Sequence, residues 1–267
     1  MHPKKRLGQH FLHDPQAIAR ILSALHPRRG EPVVEIGPGQ GALTCPLLEA
    51  VGELHAVEKD RDLIPVLLAR CGEKGQLHLH LANALTFDFA ALAPAPHTLR
   101  VVGNLPYNIS TPLLFHLLDQ IDAIRDMHFM LQKEVVDRLA ASPNTSSYGR
   151  LTLMVQAFCR VERLFNLKPG AFSPPPRVAS SFVRLTPLPH PAVDERDFPC
   201  FRRLVNQAFS QRRKTLANAL RGLLPASLLE AYGISPRCRP ETLGIEDFAR
   251  LAHALCKNAG GCDNAPV

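Results

Sequence analysis

Two short segments hold the side chains and backbone shapes that could do chemistry together. The first, Val33-Val34-Glu35-Ile36-Gly37-Pro38-Gly39-Gln40-Gly41-Ala42-Leu43-Thr44, reads as a strand that ends in a glycine-rich turn and opens a helix. Gly37 and Gly39 let the backbone fold sharply and let a ligand approach without meeting a Cβ atom. Glu58 stands 21 positions after Gly37, at the end of the next apolar run, where an acid can accept hydrogen bonds from both hydroxyls of an adenosyl ribose. Glu35 either orients the turn from within or satisfies a backbone donor at a strand end. The Gly-x-Gly-x-Gly spacing differs from the dinucleotide fingerprint, and no Walker-type pyrophosphate cradle is present, which favours S-adenosylmethionine over NAD. A bare tight turn is the competing reading, and the strand, the helix and the spaced acid weigh against it.

The second segment, Asn104-Leu105-Pro106-Tyr107, follows the fourth apolar run. An exocyclic adenine amine is a poor nucleophile because its lone pair is delocalised into the ring. An enzyme that methylates it must hydrogen-bond the N–H groups and draw the nitrogen toward tetrahedral geometry. The side-chain carbonyl of Asn104 and the backbone carbonyl of Leu105 are the acceptors for that task, with Pro106 fixing the turn. Tyr107 offers a face on which an extruded base stacks, worth roughly 1 to 3 kcal/mol. Transfer from a sulfonium is an in-line displacement, so positioning matters more than a strong base, and no catalytic cysteine is needed. An ordinary strand-end turn would look similar; the register relative to the glycine turn favours the functional reading.

These residues need a sheet to deliver them. Short apolar runs at Val33 to Ile36, Leu54 to Val57, Leu77 to Leu81, Leu99 to Val102 and Met127 to Leu131 alternate with helical patterns at Leu43 to Val51, Leu63 to Arg70 and Pro112 to Leu118. Ser110 or Thr111 is the expected N-cap of the last of these helices. The alternation predicts an α/β, Rossmann-like fold with a mostly parallel sheet. Leu151 to Phe158 reads as helix, and the runs Val161 to Leu167 and Ser180 to Leu185 as an antiparallel pair at the sheet edge. The proline-rich Thr186 to Pro191 reads as a linker, and residues 194 to 257 show only helical patterns. The expected division is a methyltransferase domain over 1–188, with a basic arm at 1–13, and a small all-α domain over 189–267 with a loose tail at 258–267.

The net charge of +7 is unevenly spread: residues 1–30 carry six basic side chains against one acid, residues 31–137 seven against fourteen, and the remainder eighteen against nine. An acidic middle between basic flanks suggests a core that handles a cationic or neutral cofactor and flanks that meet a polyanion. Seven scattered cysteines with no Cys-x-x-Cys pair indicate neither a zinc cluster nor a disulfide framework, and nothing calls for a metal. No long apolar stretch or signal-peptide pattern is present, so the expected setting is the cytoplasm, with no membrane association.

Together, Gly8 to Leu12, the glycine turn, Asn104 to Thr111, Leu131 to Val135, Tyr148 to Leu151 and Phe172 to Val178 resemble the small-subunit ribosomal RNA adenine N6,N6-dimethyltransferases, the KsgA/RsmA family. The blocks run from residue 8 to about 222. The resemblance implies a class I methyltransferase domain with a small helical domain. It also implies transfer of four methyl groups to two adjacent adenosines in the hairpin loop near the 3′ end of 16S rRNA, within the immature 30S subunit during ribosome biogenesis. It implies cofactor contacts at His10, Leu12, Gly37, Glu58, Asn83 and Asn104, and Gly39 joins them as part of the turn. The family commonly has Asn at the place of His10 and Asp at the place of Asn83; Asn83 can still accept a hydrogen bond from an adenine amine through its oxygen. Phe172 is implied as the second aromatic wall, closing over the flipped base opposite Tyr107.

From Phe198 to Leu229 there is no acid, while Arg202, Arg203, Arg212, Arg213, Lys214 and Arg221 supply six positive charges. On a helical projection Arg202, Arg203, Arg213, Lys214 and Arg221 fall on one side, with a helix break expected near Ser210, which would cap the next helix. With Lys4, Lys5, Arg6, Arg150 and Arg177 they form the expected RNA surface, holding phosphates rather than reading bases. The alternatives are a large-subunit rRNA adenine methyltransferase and a non-catalytic ribosome-assembly or transcription factor on the same fold. A cytosine methyltransferase would need a nucleophilic cysteine after proline, and Pro199-Cys200 lies beyond the linker.

Overall fold

The computed structural model describes residues 9–211 and 213–259. The strands are β1 (Phe11–Leu12), β2 (Val33–Ile36), β3 (Glu53–Glu58), β4 (Gln76–Leu81), β5 (Leu99–Asn104), β6 (Ile124–Gln132), β7 (Cys159–Leu167), β8 (Phe172–Ser173) and β9 (Ser180–Pro187). The helices are α1 (Pro15–Leu25), α2 (Thr44–Val51), α3 (Ile64–Cys71), α4 (Ser110–Leu118), α5 (Lys133–Leu139), α6 (Arg150–Gln156), α7 (Phe198–Ala208), α8 (Leu216–Ala219), α9 (Ala226–Ala231) and α10 (Ile245–Ala259).

All four residues of β2 are buried, as a strand covered on both faces requires. The main sheet runs β4-β3-β2-β5-β6-β9-β7, with β4, β3, β2, β5 and β6 parallel and β9 antiparallel to β6. The chain moves outward from β2 through β3 to β4 and then returns to β5 on the other side of β2. In an open parallel sheet, that reversal opens a crevice at the carboxyl ends of the two strands. Ile36 and Gly103 are register partners there. β1 and β8 form a separate antiparallel pair.

The described chain divides into two compact units, one made of residues up to 136 with 160–187, the other of 137–159 with those from 188 on. Residues 137–159, which the sequence reading kept with the first 188, cluster with the second. In that unit Tyr148 Oη donates to Leu243 O at 2.9 Å and Phe158 meets Phe198 edge to face, contacts between distant segments that no local pattern announces.

Several local expectations change. The N-cap of α4 is Ile109, without a side-chain bond; Ser110 is already inside the helix, its hydroxyl donating to Tyr107 O. After α7 ends at Ala208 the next helix starts at Leu216 with Thr215 as N-cap, so Ser210 caps nothing; its hydroxyl donates back to Gln207 O at 2.8 Å. Cysteines far apart in sequence are also paired, Cys45 with Cys71 and Cys200 with Cys256, against the expectation of no disulfides. The first pair arises because α2 begins where α3 ends, with Cα atoms 4.9 Å apart. Helix α1, which no expectation covered, is defined by Asp14, whose side chain accepts from the Gln16 and Ala17 N–H groups, with Pro15 in the first turn.

One buried ion network ties the amino-terminal side of the sheet. Arg100 donates to Asp126 twice, at 2.8 and 3.0 Å, to Leu25 O at 2.8 Å and to Glu31 at 3.1 Å. Burial alone would raise the Asp126 carboxyl, but hydrogen bonds and charge from His128 and Arg100 hold it well below the usual carboxylate range. A depressed carboxyl contributes stability above its unfolded pKa and loses it as pH falls. Arg100→Ala, by stranding Asp126, is expected to cost about 3–5 kcal/mol in urea denaturation at neutral pH. The acid loss of stability should be shallower in Asp126→Asn than in the wild type.

Candidate active site

The crevice between β2 and β5 opens into a cavity lined by residues of the glycine turn together with His10, Leu12, Glu35, Glu58, Asn83, Asn104, Leu105 and Tyr107. Every residue expected to touch cofactor or base is therefore in one place except Phe172. Phe172 is 2% exposed and packed in the core, because β8 pairs with β1 and sets Phe172 opposite Leu12. The ring standing against Tyr107 is instead that of His10, stacked at a centroid distance of 5.6 Å.

The glycine turn takes its shape from backbone that L side chains rarely adopt: φ is +68° at Gly37, +57° at Gly39 and +83° at Gly41. A Cβ on Gly39 would also stand 3.0 Å from the Phe11 ring. Glu58, from the end of β3, is buried and accepts the Asp60 N–H at 2.7 Å, with the Gly39 and Lys59 N–H groups also aimed at it. The carboxylate thus braces the turn as well as facing the cavity. Asn83 uses its side-chain oxygen on the Leu85 N–H at 3.3 Å, a long bond that leaves the second lone pair for a ligand.

Asn104 closes β5. Its amide nitrogen donates to His10 O at 2.7 Å, which fixes the other end of the amide as an acceptor. Leu105 is buried, its N–H donating to Met130 O. Tyr107 is anchored through a 2.7 Å hydroxyl contact with Ser180 of β9. His10 Nδ1 donates to Pro174 O at 2.7 Å, so its ring is held by the segment after β8. Sequence reading missed Ser180 and Pro174: their partners lie 73 and 164 positions away, and neither residue type signals the role.

Two carboxyl groups give the cavity its electrostatic character. Burial pushes Glu35 up to about 7, the neighbouring Thr44 hydroxyl opposing the rise and Glu58 adding to it. Burial likewise raises Glu58, against its backbone hydrogen bonds. Glu35 Oε2 has no hydrogen-bond partner among the described residues, so the reading of Glu35 as satisfying a backbone donor leaves one oxygen unexplained. An anionic, desolvated cavity of this kind suits a cationic ligand.

In the second unit, Arg202 and Arg203 of α7 line a shallow groove with Pro199, Asn206, Gln207 and Ser210. Gln207 donates to Arg221 O at 3.1 Å, which sets Arg221 beside α7. Arg213 and Lys214 are exposed in the turn before α8. The basic residues therefore sit on α7 and on the turns before and after α8, rather than on one helix face. Arg150 and Arg177 are exposed; Lys4, Lys5, Arg6 and Arg212 lie outside the described residues. Among the described residues no helix is long and apolar enough to cross a membrane.

Comparison with known proteins agrees with the geometry. The family described as ribosomal RNA adenine dimethylase matches residues 1–257. Ribosomal RNA small subunit methyltransferase A of Nitrosococcus oceani is 58% identical over 254 residues, covering 95% of this chain and 96% of the relative. Its counterpart in Pseudomonas aeruginosa is 54% identical over 257 residues, covering 96% of each. Among solved structures, a dimethyladenosine transferase from Plasmodium falciparum superposes with a TM-score of 0.80 at 28% identity, covering 94% of this chain and 98% of that one. The 23S rRNA methyltransferase ErmE superposes with a TM-score of 0.70 at 25% identity, covering 92% and 99%.

The Glu35 shift has a measurable consequence. Below about pH 7 Glu35 must release its proton before it can add a negative charge to the cavity, so affinity for a sulfonium ligand such as S-adenosylmethionine should rise as pH rises through that value. Calorimetric titration between about pH 6 and 8 should show that rise, and Glu35→Gln should flatten it.

Proposed function

The chain belongs to the ribosomal RNA adenine dimethylase family, and from that premise we propose that it transfers methyl groups from S-adenosylmethionine to the N6 amines of two adjacent adenosines in the 3′-terminal hairpin loop of 16S rRNA. The setting of this reading is the immature 30S subunit in the cytoplasm. One observation carries it: the glycine turn, Glu58, Asn83 and the Asn104 to Tyr107 edge line a single cavity.

The residues present fit the cofactor. A glycine turn with left-handed backbone admits close approach, Glu58 faces the cavity with acceptor oxygens, and the buried Glu35 oxygen lacks a donor. In this reading His10, Leu12, Gly37, Gly39, Glu58, Asn83 and Asn104 hold it. When bound, the cofactor supplies an electrophilic methyl group on a sulfonium. The chain's own residues then position the nucleophile. The Asn104 amide, held by His10 O, offers its oxygen to one N–H of the adenine amine, and the Leu105 carbonyl offers a second acceptor. Both draw the nitrogen lone pair out of the ring, where it can attack. Tyr107, fixed by Ser180, supports the base by stacking once the His10 ring yields that face. Phe172 contributes from behind, packing against the strand that carries Leu12.

RNA is held elsewhere on the chain. Arg202, Arg203, Arg213, Lys214 and Arg221, with Arg150, Arg177 and the arm residues Lys4, Lys5 and Arg6, supply phosphate contacts that position without reading sequence.

Given labelled S-adenosylmethionine and immature small subunits, the purified chain should deposit label in the RNA. Asn104→Ala should slow the transfer by roughly 10²–10³ while the subunit is still bound. Binding of the subunit by the wild type with no label transferred would favour the assembly-factor reading. In a separate experiment, Arg213→Ala with Lys214→Ala should weaken RNA binding and lower its salt slope by about 2, leaving cofactor affinity unchanged. An equal loss of cofactor affinity would make the patch structural.

A further inference from the structure

One face of the sheet edge carries a row of metal-ligand side chains that methyl transfer does not use. Glu53 and His55 alternate along β3, and His78 and His80 along β4, so the period of two places all four on one face. β4 is the edge strand, and the parallel register sets His55 directly beside His78. The opposite face, through Leu54 and Leu77, packs on the apolar core. The imidazoles of His55 and His78 stack at 4.6 Å and those of His55 and His80 at 5.2 Å. His78 Nε2 lies 2.9 Å from Glu53 Oε1, and His55 Nδ1 lies 2.9 Å from His80 Nε2.

We propose that Glu53, His55 and His78 bind one borderline divalent cation of the zinc or nickel class, with the remaining coordination positions open to water. One ligand atom from each lies within 4.8 Å of the others. Metal–ligand bonds of about 2.0–2.2 Å need them somewhat closer, and small side-chain rotations at a solvent-facing strand edge supply the difference. Two imidazoles and a carboxylate suit such a cation rather than calcium or magnesium. His80 stands behind the site: by bonding Nδ1 of His55 it leaves Nε2 of that ring to the ion. The ion would fasten the edge strand to β3, and these two strands lead into Asn83 and Glu58.

The test needs no methyl transfer. Chelator-stripped full-length protein is titrated with cobalt(II) alone, followed by its visible absorption, and with zinc by calorimetry. One equivalent should bind. His78→Ala should weaken it by roughly tenfold or more, at least the loss that removing an outer-shell partner causes at characterised sites. His190→Ala, at an exposed histidine elsewhere, should leave it unchanged. Glu53→Gln, at an exposed position, gives the same readout if His78→Ala does not fold. No binding, several weak equivalents, or unchanged affinity in whichever variant folds overturns the site.

Discussion

Where β2 and β5 end side by side, a Cβ on Gly103 would stand 2.6 Å from the carbonyl oxygen of Ile36. No side chain fits there without moving backbone. This close approach brings the glycine turn that follows Ile36 within reach of Asn104, the residue after Gly103, and a Cβ on Gly37 would already be 3.8 Å from the Asn104 carbonyl oxygen. The glycine turn and the Asn104 edge are thus neighbours because two parallel strands are in register at a point where the strand order reverses. The rest of the unit supports that junction. Glu58 braces the turn, His10 O orients Asn104, and Ser180 anchors Tyr107.

The junction is also where the chain carries its least comfortable charges. Glu35 and Glu58 are both buried and both raised, and one Glu35 oxygen is without a donor. Left empty, such a site costs stability; filled by a sulfonium or ammonium group, the same carboxylates become favourable. The amino-terminal end of the sheet shows the contrasting arrangement. There Arg100, Asp126 and Glu31 satisfy one another, and the carboxyl is stabilised rather than strained. The acidic middle of the chain therefore includes both an ion-paired network at one end of the sheet and two buried carboxyls facing the cavity at the other, while the described basic residues after the linker are exposed.

Much of this was legible in the sequence because it depends on local pattern. The apolar runs that became β2 to β6 are periodic or continuous, and the glycine turn is a local event whose acid partner sits at a fixed spacing. What failed depends on pairs distant in the chain. The resemblance implies Phe172 as an aromatic wall opposite Tyr107, but strand pairing with Leu12 places it in the core and the ring against Tyr107 is that of His10. The departure of His10 from the family's usual residue points only to a lost amide, whereas in the structure its backbone carbonyl accepts from Asn104 and its ring donates to Pro174 O. The helix break expected near Ser210 is present, with α7 ending at Ala208, but the chain turns on to Thr215 before the next helix starts, so Ser210 is not its cap. Paired cysteines and the segment 137–159 joining the helical unit are likewise contacts between elements.

If one cavity brings a sulfonium methyl to an adenine amine of small-subunit RNA, the product is read on the RNA itself. The most direct measurement is tandem mass spectrometry of the 3′-terminal hairpin fragment, released from 16S rRNA by nuclease after incubation of immature 30S subunits with the chain and S-adenosylmethionine. The expected product is N6,N6-dimethyladenosine at two adjacent positions of the 3′-terminal hairpin. Unmodified adenosine there, or methylation found only when large-subunit RNA is supplied, would contradict it.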